Sequence, residues 1–140
     1  MNIRPASAED RSQVSNLWRL VFLDAPAHNR PEDDFDRKMQ VQPELFLLAE
    51  DEGEILGSVM AGYDGHRGWI YYLAVHPDHR RKGWGKALTE AAELGLTEMG
   101  CPKVNLQVRA NNETVASFYR SIGYLDEERL SFGKRLVSED

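Results

Sequence analysis

Residues 75 to 88 read Val75-His76-Pro77-Asp78-His79-Arg80-Arg81-Lys82-Gly83-Trp84-Gly85-Lys86-Ala87-Leu88 and place three consecutive cations and two glycines between a strand and a helix. The apolar run Ile70 to Val75 reads as the strand, Pro77 closes it, and Lys86 to Met99 has helical spacing. The glycines therefore fall where a helix begins, and a helix N-terminus leaves backbone N–H groups unpaired. Those donors, the positive end of the helix dipole and Arg80, Arg81 and Lys82 suit a pyrophosphate or similar group. Glycine belongs where ligand oxygens must approach the backbone closely. A dinucleotide fingerprint would need a glycine where Leu88 stands, and a nucleotide P-loop would need Ser or Thr where Ala87 stands, so neither reading applies.

What remains, Arg80-x-x-Gly83-x-Gly85 after Leu73-Ala74-Val75, resembles the coenzyme A-binding motif of the GNAT N-acetyltransferases. A second segment, Asn112-Glu113-Thr114-Val115-Ala116-Ser117-Phe118-Tyr119-Arg120-Ser121-Ile122-Gly123-Tyr124, resembles the same family's other signature. Its local reading is consistent: Asn112 caps a helix, Val115, Phe118 and Ile122 mark one apolar face with Tyr119 beside it, and Gly123 ends it. The resemblance covers the chain from Arg4 to about Gly133. The run Gly62 to Gly68 followed by Tyr71-Tyr72-Leu73 further resembles the YpeA-type acetyltransferases.

The resemblance implies acetyl-CoA as donor and a primary amine, small-molecule or peptide, as acceptor, with direct transfer in a ternary complex and no metal. It implies that the backbone of Leu73, Ala74 and Val75 pairs with the pantetheine amides, and that amides from Arg81 through Lys82, Gly83, Trp84 and Gly85 to Lys86 bind the pyrophosphate, flanked by Arg80. Asn112 would bind the cofactor or simply cap its helix, and Tyr119 would be the acid that protonates the leaving thiolate. An alkyl amine of pKa about 10.4 is almost wholly protonated near neutrality, so a base or a proton path is also needed. Many family members carry a glutamate on the strand before the pyrophosphate turn, whereas this chain has Trp69-Ile70-Tyr71-Tyr72. Strand alternation places only one of Tyr71 and Tyr72 in the acceptor cleft, with Tyr71 on the face of Leu73 and Val75. Asp64 and His66, in the loop entering that strand, are the other candidates for the base. A non-catalytic acyl-CoA sensor and an enzyme for another acyl group are the alternatives.

These residues need a scaffold. The chain has 140 residues, 41% of them hydrophobic, enough for one domain over 1–140. Asn2 to Pro5 begins an edge strand, and Ser7 with Asp10 resembles a capping box opening a helix whose buried stripe is Val14, Leu17, Trp18 and Val21. Asp24 to Arg30, with Pro26 and Asn29, reads as a loop. Pro31 suits the first turn of a second helix, with Phe35 and Met39 on one face, and Pro43 stops it. Leu45 to Ala49 and Glu54 to Ala61, separated by a Gly53 turn, make a hairpin. Strand Trp69 to Val75, helix Gly85 to Met99, strand Lys103 to Val108, helix Asn112 to Ile122 and a closing pair of short strands near Leu125 to Leu136 follow.

This order indicates an α/β fold with a mixed, mostly antiparallel central sheet flanked by helices. The resemblance adds that two neighbouring parallel strands, Trp69 to Val75 and Lys103 to Val108, splay apart to form the acetyl-CoA cleft. It also inclines toward a homodimer, which Phe132 and Leu136 would serve unless they close the chain's own sheet.

The net charge of −6 argues against general nucleic-acid binding. Asp78 to Lys86 nevertheless carries +3, leaving −9 on the rest by subtraction. Acids cluster at Glu32, Asp33, Asp34 and Asp36, at Glu50 to Glu54 and at Asp126 to Glu128, either as solvated surface or as a rim attracting an amine. No apolar stretch is long enough for a membrane span and no secretory signal is recognisable, so a cytoplasmic location is expected. Cys101, the only cysteine, reads as a partly buried thiol between helix and strand. His76 and His79 read as structural, since with His28 they match no metal-ligand spacing.

Overall fold

The computed structural model describes residues 2–23 and 30–137, which fall into two compact units, one ending at Gln107 and one starting at Val108. The loop expected over Asp24 to Arg30, with Pro26, His28 and Asn29, lies outside the described residues except for Arg30.

The first unit is a five-stranded sheet in sequential order: β1 (Asn2–Pro5), β2 (Phe46–Asp51), β3 (Glu54–Tyr63), β4 (Gly68–Val75) and β5 (Val104–Leu106). The first four pair antiparallel, and β4 pairs parallel with β5. Helices α1 (Arg11–Val21) and α2 (Pro31–Lys38) cover one face and α3 (Trp84–Glu98) the other. On the α3 face, Trp84, Leu88, Ala92 and Leu96, four residues apart along the helix, meet Leu47, Val59, Ala61 and Ile70. On the opposite face Val14, Leu17, Trp18 and Phe35 meet Phe46, Leu48, Ile55 and Ala74. Buried on both faces, β3 reads as a nearly continuous apolar run.

Local chemistry accounts for the junctions. The β2–β3 turn has positive φ at Glu52 (50°) and Gly53 (80°), the signature of a tight two-residue hairpin. Ser7 and Asp10 do meet, the Ser7 N–H donating to the Asp10 carboxylate at 2.8 Å, but the chain first makes a short 3-10 turn, Ala8–Asp10, and α1 starts at Arg11. Asp10 also receives both Arg4 guanidinium nitrogens at 2.8 and 2.9 Å, which ties β1 to the start of α1. Helix α2 ends at Lys38, before Pro43, which opens another 3-10 turn. Gly57 lets α3 close on the sheet: a Cβ there would stand 2.8 Å from the Ala74 carbonyl and 2.9 Å from Leu88. Cys101 is partly buried as expected, its thiol directed at the Lys103 carbonyl.

The second unit holds α4 (Glu113–Ser121), capped by the Asn112 side chain, which accepts the Val115 N–H at 3.2 Å. Its buried residue is Tyr119 rather than the expected stripe: Val115 is 37% exposed, while Phe118 and Ile122 are partly buried. The expected strands near Leu125 to Leu136 do not form among the described residues. Leu125, Leu130, Phe132 and Leu136 are each more than 80% exposed, so no neighbour buries their apolar alternation, which alone cannot hold a strand.

Candidate active site

The turn after β4 is built much as its residue types suggest. Pro77–His79 forms a 3-10 turn in which His76 Nδ1 accepts the Asp78 N–H at 3.1 Å, consistent with a structural histidine. Arg81 and Gly83 both have positive φ, 63° and 86°, and Gly83 caps α3 in the left-handed conformation that glycine adopts without penalty. The first intrahelical bond there runs from the Ala87 N–H to the Gly83 carbonyl, so the N–H groups just before Ala87 face outward from the helix end. Arg80, Arg81, Lys82 and Lys86 are exposed around them, and Arg80 Nε donates to the Val75 carbonyl at 3.3 Å. Trp84 differs from its neighbours, because its indole is buried against the sheet and only its backbone faces the turn.

Strand β4 keeps its parallel partner for only three residues, Gly68, Trp69 and Ile70, opposite Val104, Asn105 and Leu106. Leu73, Ala74 and Val75 run on without β5 while remaining tied to β3 on the other side. This is the splay of two parallel strands, although β5 is shorter than the segment Lys103 to Val108 suggested.

Where the two strands part, β4 carries a bulge. Ser58 pairs with Ala74 and Met60 with Tyr71, so Val59 faces two residues, and Tyr72 adopts a φ of 53°. The extra residue breaks the strand's alternation. Ile70 and Leu73 point into the α3 face, while Tyr71 and Tyr72 both line a cleft on the α1/α2 side. The expectation that only one tyrosine enters the cleft, with Tyr71 on the face of Leu73, is therefore wrong. A one-residue bulge resets the period of two.

The cleft has a volume of about 510 Å³ and is lined by Phe22, Asp34, Arg37, Lys38, Val41, Met60, Tyr71 and Tyr72. Tyr72 is fixed from several directions. Its ring stacks on Trp18 at 4.1 Å and meets Phe22 edge-on at 5.4 Å. Its carbonyl accepts the Ser58 hydroxyl at 2.8 Å, and Ser58 accepts the Trp18 indole N–H at 2.9 Å, so this buried serine is satisfied on both sides. Its phenol donates to Asp34 Oδ2 at 2.5 Å, and burial followed by that bond pushes the phenol well above the ordinary tyrosine range. Arg37 bonds the other Asp34 oxygen at 2.9 Å.

Lys38, in the cleft wall, and Gln42, beyond it, take over from β2 where its ladder with β3 stops at Met60. Lys38 Nζ donates to the Ala61 carbonyl at 2.5 Å, and the Gln42 amide bonds both the N–H and the carbonyl of Tyr63 at 2.8 and 2.9 Å, as a neighbouring peptide would. Burial lowers the Lys38 amine below its ordinary range.

Asp64 and His66 occupy the exposed β3–β4 turn and are not among the residues lining the cleft. Asp64 Oδ1 accepts the backbone N–H groups of His66 and Arg67, both at 2.8 Å, which holds its carboxyl below the usual range and closes the turn. The first acidic cluster is not a free rim either: Glu32 pairs with Arg19, Asp33 with Arg30, Asp34 with Arg37 and Asp36 with Arg11. Asp34 is the site residue that composition hid inside that cluster. Its signal is the spacing of Asp34 and Lys38, four residues apart on one face of α2 that borders the cleft.

Tyr119 belongs to the second unit, where its ring contacts Phe118 at 5.2 Å and Tyr124 at 5.5 Å and burial pushes its phenol up to about 12. Among the described residues no group of three or more His, Cys, Asp or Glu could hold a metal ion, and no helix is long and apolar enough to cross a membrane.

A mixed sheet whose parallel strands part beside a basic, glycine-bearing helix start is the α/β architecture of this chain. The model of the family described as Acetyltransferase (GNAT) family matches residues 12–124, and the chain belongs to that family. It is 46% identical over 137 residues to an acetyltransferase of Yersinia pestis (strain Pestoides F), covering 98% of this chain and 96% of the relative. It is also 46% identical over 140 residues to acetyltransferase SG1711 of Sodalis glossinidius, covering 99% and 98%. Among solved structures it resembles the aminoglycoside N-acetyltransferase AAC(6')-Iy in complex with a bisubstrate analogue, with a TM-score of 0.80, 18% identity and coverage of 97% and 98%. The ribosomal-protein-S18-alanine N-acetyltransferase of Escherichia coli gives a TM-score of 0.73 at 22% identity, covering 87% of this chain and 76% of that one. The chain has the GNAT fold and is an acetyltransferase.

Proposed function

We propose that this protein moves an acetyl group from acetyl-CoA to a primary amine held in the cleft between α2 and β4. The observation that carries this reading is the bulge at Tyr72, where β4 leaves β5 and turns two tyrosines toward one pocket. The backbone of Leu73, Ala74 and Val75 would pair with the pantetheine arm as an added strand. The amides from Arg81 to Lys86 would hold the pyrophosphate, with Arg80, Arg81, Lys82 and Lys86 supplying charge. The residues present fit such a donor: a strand edge without its parallel neighbour leads directly into an exposed, cationic helix start.

Tyr119 is the acid in this reading. With its phenol raised to about 12 it stays protonated at neutral pH, and as a weak acid serving a fair leaving group it contributes modestly. Asn112 is observed as the cap of α4.

Calorimetric titration with acetyl-CoA, repeated on a folded variant with Gly83 and Gly85 replaced by bulky residues, tests the donor site. Binding is expected for the wild type and lost in the variant. Release of free thiol with a panel of amines then tests transfer. A protein that binds acetyl-CoA tightly yet releases thiol with no amine would overturn the amine acceptor, and one that binds none would overturn the whole reading.

A further inference from the structure

Among the described residues lining the cleft one is a carboxylate, Asp34, and it reaches the acceptor face through a tyrosine. Strand β4 carries no acidic residue, Asp64 is engaged in its own turn, and His66 stands outside the cleft lining. Asp34, by contrast, projects from α2 into the cleft, where Oδ2 accepts the Tyr72 phenol at 2.5 Å and Oδ1 is held by Arg37 at 2.9 Å. A short bond between hydroxyl and carboxylate is the geometry of a charge-assisted pair. The tyrosine ring cannot swing away, being stacked on Trp18 and edged by Phe22, with its own carbonyl tied to Ser58.

We propose that Tyr72 and Asp34 form the proton path that converts the acceptor ammonium into its reactive amine, Tyr72 touching the amine and Asp34 standing behind it. The inference rests on the acetyl-transfer reading above. In the step, an ammonium proton passes to the Tyr72 oxygen as the Tyr72 proton passes to Asp34, whose partly exposed carboxyl hands it to solvent. The freed nitrogen lone pair forms the C–N bond to the thioester carbonyl carbon and the C–S bond breaks. The second amine proton neutralises the departing thiolate, directly or by way of the general acid, and one proton is released overall. Burial that keeps the Tyr72 phenol protonated suits a group that passes protons on without storing charge. Among the described residues lining the cleft, Arg37, bonded to Asp34, and the Lys38 amine, bonded to the Ala61 carbonyl, are the other charged groups.

The test compares two acceptors of nearly equal shape, 2-phenylethylamine and its β,β-difluoro analogue, at pH 8. The fluorines withdraw electron density and leave the second amine mostly unprotonated, so it has no need of the path. Asp34→Asn and Tyr72→Phe are each expected to lose on the order of 100-fold in kcat/KM with 2-phenylethylamine. With the difluoro amine the loss is expected to be only a few-fold, and Asp34→Glu should recover part of the first loss. Because the ratio between the two acceptors does not depend on how much of a variant is folded, a purely structural role would lower both rates together. Equal losses for the two amines would overturn the proton path and leave acetyl transfer standing. A wild type that binds acetyl-CoA but releases thiol with neither of these amines nor any amine of the panel would overturn the path together with the reading beneath it.

Discussion

Tyr72 shows how a single residue sets the geometry of this cleft. A non-glycine residue at a φ of 53° carries a backbone cost that the surroundings must repay, and here Trp18, Phe22, Ser58 and Asp34 all hold it. Replacing Ser58 with alanine leaves the buried Trp18 N–H without its acceptor and the Tyr72 carbonyl without its donor. The expected loss is about 1–3 kcal/mol of folding stability, measured by urea denaturation. At the second signature, Tyr119→Phe removes the phenolic proton and keeps the ring. Turnover is expected to fall about 10- to 100-fold, read as thiol release, with acetyl-CoA affinity unchanged.

Among the elements, the junction of β1 with α1 depends on one carboxylate. Asp10 is buried, and its bonds to Arg4, aided by the Ser7 N–H, hold its carboxyl below the ordinary range. A carboxyl depressed in the folded state contributes stability that is complete above its unfolded value and is lost as pH falls through the folded one. Stability measured across pH 7 to 2 should therefore drop at the acid end. Asp10→Asn should lower the neutral-pH plateau by about 2–3 kcal/mol and flatten the drop. The contact of α3 with the sheet has a different sensitivity. Gly57→Ala clashes with both the Ala74 carbonyl and Leu88, and an expected cost of about 1–3 kcal/mol should appear as a lowered Tm.

For the whole molecule, charge is distributed unevenly. A turn of +3 stands on a chain of net −6, and the acids of α2 are paired one by one with arginines. Acetyl-CoA affinity should weaken as salt rises, because the cations of the turn meet phosphates in an exposed, screened setting. Replacing Arg80, Arg81 and Lys82 with alanine should lower affinity at low salt and remove most of that dependence, measured by titration at several ionic strengths.

The amino-acid order by itself determined several local features whose cause lies within a few residues. The glycine-bearing helix start, the Asp10 contact to Ser7, the Gly53 hairpin, the Pro31 helix entry and the Asn112 cap are short-range events, and each is observed. The partner-seeking features were not legible in this way. The segment Leu125 to Leu136 has the alternation, yet its large apolar side chains are exposed and no strand forms there among the described residues, and the buried residue of α4 is Tyr119 rather than Val115. The bulge that turns Tyr71 and Tyr72 to one side arises from pairing with β3, which no pattern within β4 encodes. Asp34 looked like one more surface acid until α2, docked through Phe35, set it 2.5 Å from a phenol 38 residues away. Tertiary structure decided the cleft because its walls come from segments far apart in sequence, and only packing fixes which faces meet.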